Sequence, residues 1–195
     1  ILGIGLDKRI GKSFLKPGPG WGGSCFPKDT RALLHIAQEA GYQFKLLEGV
    51  LIVNDQQMHR VVEKVRNAVG GELNGTRVAV WGLAFKANTD DLRESPALVV
   101  IKHLIAEGAK IQAWDPAINE HHAAIPQQVE LGESPYTVCR GAEVLVVLTE
   151  WDEFGLLDAE KAAREMEHLS VVDTRNVLDR ENWQAAGFVH QGIGR

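Results

Sequence analysis

From residue 77 onward, strand-sized apolar runs alternate with helix-patterned segments, and this alternation narrows the fold more than any other feature of the chain. RVAVWG (77–82) reads as a buried-type strand, and KIQAWDP (110–116), EVLVVLT (143–149), LSVVDT (169–174) and GFVHQGI (187–193) read as four more strands. Between them, Ser95-Pro96 supplies an N-cap and a proline at the first helical position, and Gly108 ends that helix. Ser134-Pro135 opens a short helix through Arg140, and Asp158 to Glu167 forms another. Strands separated by helices pair in parallel through crossover connections. The expectation is therefore an α/β fold, a mostly parallel sheet with helices on both faces. Ligands of such sheets bind outside the carboxyl ends of the strands. The polar segments GLAFKANTDDLRES, TEWDEF and DTRNVLD all leave a strand at that end.

Before Gly70-Gly71 the pattern is helix and loop. GKSFLKPGPGWGGSCF (11–26) is rich in Gly and Pro and reads as a loop with tight backbone demands. Asp29 or Thr30 is expected to cap a helix that runs to Ala40 and stops at Gly41. A second helix is expected from about Leu46 to Val69, where Leu47, Val50, Leu51, Met58, Val61, Val62, Val65 and Val69 recur at helical spacing.

With 195 residues the chain suits one domain, or one domain with a helical appendage. A formal charge of -5 without a basic run argues against nucleic acid, yet leaves room for a local basic pocket. The longest clean apolar run, Val144 to Leu148, falls far short of the ~20 residues that span a bilayer, so no membrane segment is expected. The chain begins Ile1-Leu2-Gly3 with no methionine, so the lack of a signal-peptide pattern carries little weight. Cys25 and Cys139 stand in unlike contexts and form neither a disulfide framework nor a metal-type cluster. A reducing, cytoplasmic setting and no metal are expected.

Four constellations could carry chemistry. In GPGWGGSCFPKDT (18–30), four glycines in six residues permit positive φ and close approach of a ligand to the backbone. Cys25 follows at once, before a helix start and near Lys28, and both neighbours favour a thiolate. A lone cysteine is more often a small buried hydrophobe; the glycines, Lys28 and Asp29 turn the reading toward a reactive thiol. The loop from Phe85 and Lys86 through Asp90, Asp91 and Arg93 to Ser95 suits phosphate or carboxylate, or equally is a solvated loop whose acids start a helix. Asp7, Lys8, Arg9 and Lys16 beside the glycine loop could hold phosphate, although a surface charge cluster is the plainer reading in isolation. Arg175 stands at a strand end, where charges are often only solvated. His121, His122, His35, His103 and Cys139 need no special role, and Trp114 and Trp183 read as core or cover.

Taken together, RIGKSFLKPGPGWGGSCFPKDT, GLAFKANTDDLRESPA and DTRNVLD resemble the signatures of the UDP-glucose 6-dehydrogenase family, within the wider UDP-glucose/GDP-mannose dehydrogenases. The resemblance extends over essentially the whole chain and departs from the family at Trp21 and Ala87. It implies a Rossmann-like UDP-sugar-binding domain over residues 73–195. Residues 1–72 would hold the end of a central helix, the active-site loop and a helical dimerisation region. The NAD-binding domain of the family would lie upstream, outside this chain.

By the same resemblance, Cys25 is the nucleophile and Asp29 orients water or moves a proton. Arg9, Lys16, Pro17, Gly18, Pro19, Gly20, Trp21 and Gly22 would hold the UDP-sugar, with Arg9 reaching across a homodimer interface. Phe85, Lys86 and Arg175 would also contact substrate, and Lys28 and Arg93 would face the NAD. The implied reaction is an NAD-dependent, two-step oxidation of UDP-glucose to UDP-glucuronate through a thiohemiacetal and a thioester on Cys25. The chain by itself is expected to be inactive. GDP-mannose or UDP-N-acetylhexosamine as substrate, or a nucleotide-sugar-binding module without redox chemistry, are the alternatives.

Overall fold

The computed structural model describes residues 2–12 and 15–194. The helices are α1 (Leu2–Gly5), α2 (Phe26–Glu39), α3 (Lys45–Ala68), α4 (Pro96–Ala106), α5 (Ala159–Glu165) and α6 (Arg180–Ala185). The strands are β1 (Arg77–Trp81), β2 (Lys110–Trp114), β3 (Val129–Leu131), β4 (Val144–Val147), β5 (Ser170–Asp173) and β6 (Val189–Gly192). They form one sheet in the order β3-β2-β1-β4-β5-β6, and every neighbouring pair is parallel. The order reverses between β1 and β4, so the loops after those two strands flank the crevice where such sheets take ligands.

The central strands β1, β4 and β5 are buried on both faces, which is why they are apolar runs in the sequence. Period-two alternation still sorts their side chains. Val78 and Val80 of β1, with Val144 and Val146 of β4, face a core built by Met58, Val61, Val62 and Val65 of α3 and by Leu98, Ile101 and Leu104 of α4. Ala79, Trp81, Leu145 and Val147 face the other core, with Cys139, Phe154, Ala162 and Trp183. Trp81 touches Phe154 and Trp183 with ring centroids 5.6 and 5.7 Å apart, and its indole N–H donates to the Pro135 carbonyl at 2.8 Å. Burial of a side chain of this size contributes roughly 1.5–3 kcal/mol.

Several sequence expectations are corrected. Helix α2 begins at Phe26, not after Asp29 or Thr30, and Cys25 takes the N-cap position. Pro27 within the first turn suits this earlier start, and Thr30 donates back to the Phe26 carbonyl at 2.6 Å instead of capping. The expected helix from Ser134 to Arg140 is a single 3-10 turn, Thr137–Cys139. The sheet has six strands among the described residues, not five: the three-residue edge strand β3 is the addition, and the strand expected over 187–193 is the sixth. Helix α6 was also missed, and TEWDEF holds the 3-10 turn Asp152–Leu156. Ser95 and Pro96 start α4 as expected, but the Ser95 side chain makes no capping bond. No described helix is long and apolar enough to cross a membrane.

Candidate active site

The glycine loop lies along three other elements, and its glycines mark where it touches them. A methyl group on Gly20 would meet Asn54 Oδ1 at 2.9 Å and the Met58 methyl at 3.0 Å, both on α3. Asn54 completes this contact by accepting from the Trp21 N–H at 2.8 Å and donating to the Trp21 carbonyl at 3.1 Å. Gly22 abuts the Glu94 carbonyl and the Pro96 ring. Gly23, at φ +83°, faces the Phe85 ring, where a Cβ would come within 2.7 Å, and its N–H donates to the Glu94 carbonyl at 3.2 Å. Glu94 itself holds φ +48°, a left-handed conformation that a side-chain-bearing residue adopts only under tertiary constraint. Gly18 faces the guanidinium of Arg175.

Arg175, at the end of β5, is the best-buried cation at the site, with 11% of its side chain exposed. Its Nε donates to the Leu148 carbonyl at 2.8 Å. Its Nη1 lies 3.0 Å from Glu150 Oε2, an ionic contact without hydrogen-bond alignment. Burial pushes its pKa down, and the charges of Glu150 and Asp173 oppose that shift. Asp173 steadies the turn by accepting from the Arg175 N–H at 3.0 Å and the Leu178 N–H at 2.9 Å.

A cleft of about 700 Å³ opens between the loop and α3. Lys16, Gly18, Gly20 and Trp21 line one side, the α3 residues Lys45, Gly49, Val50, Val53 and Asn54 line the other, and Arg175 reaches it from the sheet. Apolar walls with three cations suit a ligand that carries both a flat apolar group and phosphate.

Cys25 sits at the other end of the loop, exposed, and at the N-cap of α2. Two cations lie in its neighbourhood. Lys28 has its pKa raised, first by the Asp29 side chain at 2.5 Å and last by Cys25. Arg93 has its pKa raised, first by Asp91 and last by Cys25. Asp91 is held down to about 2, first by the Arg93 side chain, then by the Arg93 N–H, with Lys86 also contributing. Asp29 lies in the first turn of α2, its N–H bonded to the Cys25 carbonyl at 2.9 Å. Cys139, by contrast, is fully buried, and burial pushes its thiol up to about 12.

Of the residues singled out from sequence, Lys16, Gly18, Gly20, Trp21 and Arg175 thus share one cleft, and Cys25, Lys28, Asp29 and Arg93 cluster at the loop's far end. Phe85 underlies Gly23, and the Lys86 ammonium sits 5.3 Å from the Phe85 ring centroid. Pro17 and Pro19 flank Gly18 without lining the cleft. Arg9 stands apart: it is exposed and paired with Asp7 at 2.6 Å, at no described part of the cleft. Ser13 and Phe14 of the first signature lie outside the described residues. Sequence reasoning missed Asn54, Lys45 and Glu150. The one available signal for Asn54 was a polar residue amid the apolar stretch VLIVND; Glu150 stood in a strand-end loop already noted.

The family model "UDP-glucose/GDP-mannose dehydrogenase family, UDP binding domain" matches residues 79–180, and the central-domain model of the same family matches residues 1–56. The chain belongs to the UDP-glucose/GDP-mannose dehydrogenase family. Among curated members, it is 43% identical over 194 residues to the UDP-glucose 6-dehydrogenase TuaD of Bacillus subtilis (strain 168), covering 99% of this chain and 42% of that protein. It is 42% identical over 193 residues to the UDP-glucose 6-dehydrogenase of Rhizobium meliloti (strain 1021), covering 99% and 44%. Among solved structures of the family, a UDP-glucose dehydrogenase from the hyperthermophilic archaeon Pyrobaculum islandicum superposes with TM-score 0.82 at 34% identity, over 98% of this chain and 42% of that one. An NDP-N-acetyl-D-galactosaminuronic acid dehydrogenase from Methanosarcina mazei Go1 gives TM-score 0.80 at 26% identity, over 96% and 41%. The chain therefore spans less than half the length of these family members.

Proposed function

We propose that this chain is the C-terminal portion of an NAD-dependent UDP-glucose 6-dehydrogenase that forms UDP-glucuronate. The observation that carries the reading is the glycine loop: one end joins Arg175 and Lys16 at a cleft, and the other presents an exposed thiol at the start of α2, in the neighbourhood of Lys28 and Arg93. In this reading residues 1–72 supply the end of the central helix, the active-site loop and the dimerisation helices, and residues 73–195 form the UDP-sugar-binding domain. The exposed Leu33, Ile36 and Ile52 on α2 and α3 support a homodimer. The cations Lys16, Lys45 and Arg175 suit the diphosphate, and Trp21 offers a flat apolar surface to the uracil.

Only part of an NAD site can belong to this chain. In the turn after β1, Gly82 serves packing, since a Cβ there would come within 2.5 Å of Thr149. Lys28 and Arg93 beside Cys25 fit the rim of a cofactor held chiefly by the upstream domain. Two NAD molecules, bound there one after the other, would supply the acceptors for the two hydrides that leave C6, one hydride each.

Within the chain, the Cys25 thiolate adds to the carbonyl carbon of the C6 aldehyde, forming a C–S bond as the C=O π bond breaks and giving a thiohemiacetal as its alkoxide. Loss of the second hydride leaves a thioester. Water then adds to the acyl carbon, the C–S bond breaks, the thiolate leaves, and the carboxylate forms, the two protons of the water being released. Asp29, one turn along α2 from Cys25, is placed to orient that water or take its proton once its pairing with Lys28 opens. The covalent step keeps the aldehyde on the enzyme between the two oxidations.

The test uses the full-length protein. Cys25→Ala is expected to abolish UDP-glucuronate formation while UDP still binds, and Cys139→Ser is expected to behave as wild type. The isolated chain should reduce no NAD. UDP-glucuronate made by Cys25→Ala at near the wild-type rate would return Cys25 to a structural role.

A further inference from the structure

The two residues before Phe85 have all four of their backbone polar groups satisfied by side chains. The N–H groups of Leu83 and Ala84 both donate to Asp115 Oδ2, at 2.7 and 3.0 Å. The Leu83 carbonyl accepts from Ser95 Oγ at 2.7 Å, and the Ala84 carbonyl accepts from Thr149 Oγ1 at 2.7 Å. The three side chains come from three separate places: Asp115 follows β2, Thr149 follows β4, and Ser95 precedes α4. Each is at most 1% exposed. Buried backbone groups must find partners, and here no strand or helix supplies them.

Asp115 reaches further. Its Oδ1 accepts from the Ala117 N–H at 2.9 Å, and Oδ2 also accepts from the Trp151 indole N–H at 3.3 Å. One carboxylate thus ties the loop after β1 to the loop after β4, the two loops at the sheet's reversal point. A carboxylate can accept all four bonds; an amide has half the acceptors and adds two donors of its own. Ser95 occupies an N-cap position yet bonds to Leu83 and leaves the helix end without a side-chain cap.

Phe85 and Lys86 follow this clamp directly, and the Phe85 ring is the surface on which Gly23 of the Cys25 loop rests. We infer that Asp115, with Thr149 and Ser95, positions the nucleotide-sugar site by setting the place of Phe85 and Lys86 and, through Gly23, of the loop bearing Cys25. The inference rests on the function proposed above. It assigns these three residues no contact with substrate.

The experiment uses full-length protein with UDP-glucose and NAD. Failure of the wild type to oxidise UDP-glucose sinks the proposed function; the positioning role is tested by comparing variants with an active wild type. Asp115→Ala is expected to raise the KM for UDP-glucose about tenfold, the loss expected for charge-assisted hydrogen bonds. Asp115→Asn should fall between Asp115→Ala and wild type. Thr149→Val, which removes one hydroxyl at constant shape, should raise it about threefold. The KM for NAD should shift less than that for UDP-glucose in every variant, since the cofactor would be held chiefly by the upstream domain. A kcat that falls only in step with the fraction of folded protein, at wild-type KM for UDP-glucose, overturns the inference. Where the Asp115 variants do not fold, Thr149→Val and Ser95→Ala carry the test, and wild-type KM values in both overturn it.

Discussion

Gly18 faces Arg175 so closely that a methyl group on its α-carbon would come within 2.6 Å of the guanidinium Nη1. The arginine is not free to retreat, because Nε is bonded to the Leu148 carbonyl at 2.8 Å and Nη1 lies 3.0 Å from Glu150. Gly18→Ala is therefore expected to displace Arg175 and weaken UDP binding about tenfold, or ~1.4 kcal/mol. Calorimetry of UDP with the full-length protein checks this; an unchanged Kd would mean that the approach of Gly18 to Arg175 plays no part in binding.

Arg175→Lys should not be a conservative change. Lysine offers one compact ammonium where the guanidinium serves both the Leu148 carbonyl and Glu150. A loss of roughly 1–3 kcal/mol in unfolding free energy is expected from the groups left short of partners. Urea denaturation measures it. In a double-mutant cycle with Glu150→Gln, the coupling should exceed about 0.5 kcal/mol, and strict additivity would show that the two side chains act independently.

The two cysteines should differ sharply toward thiol reagents. Cys139 is fully buried, donates to the Pro135 carbonyl at 3.3 Å, and is pushed up to about 12 by burial; Cys25 is exposed. Native protein at pH 8 should react at one of these thiols only, and denatured protein at both. Peptide mapping after alkylation identifies the site. Rapid native labelling of Cys139 would contradict the packing described.

The Asp91–Arg93 pair predicts an acid-side stability change. Asp91 is held down to about 2, chiefly by the Arg93 side chain and then by the Arg93 N–H. A carboxyl with a depressed folded-state pKa adds stability above its unfolded value near 4, and that contribution fades as pH falls toward about 2. Wild type should therefore exceed Asp91→Asn in thermal stability at pH 6, and the two should converge between pH 4 and 2. A gap that stays constant over that interval would assign the Asp91 effect to packing.

Sequence alone determined the elements that repeat a local pattern. Buried parallel strands must be apolar runs, so β1, β2, β4 and β5 were legible, and the helical spacing of Met58, Val61, Val62 and Val65 marked α3. The clustering of glycines with Cys25 was equally plain, because positive φ and close approach leave glycine little competition. The shortest elements and the helix start were not legible: β3 has three residues, and Asp29 and Thr30 look as much like caps as Cys25 does, whereas the edge strand β6 was expected. Tertiary structure decided which polar side chains belong to the site. Trp21 meets Asn54 across 33 residues, and Ala84 meets Thr149 across 65. Read locally, Asn54, Glu150 and Asp115 are ordinary polar residues of a helix and two strand ends. They acquire partners only when distant segments pack, because burial then removes water and obliges each backbone N–H and carbonyl to find a side chain in its place.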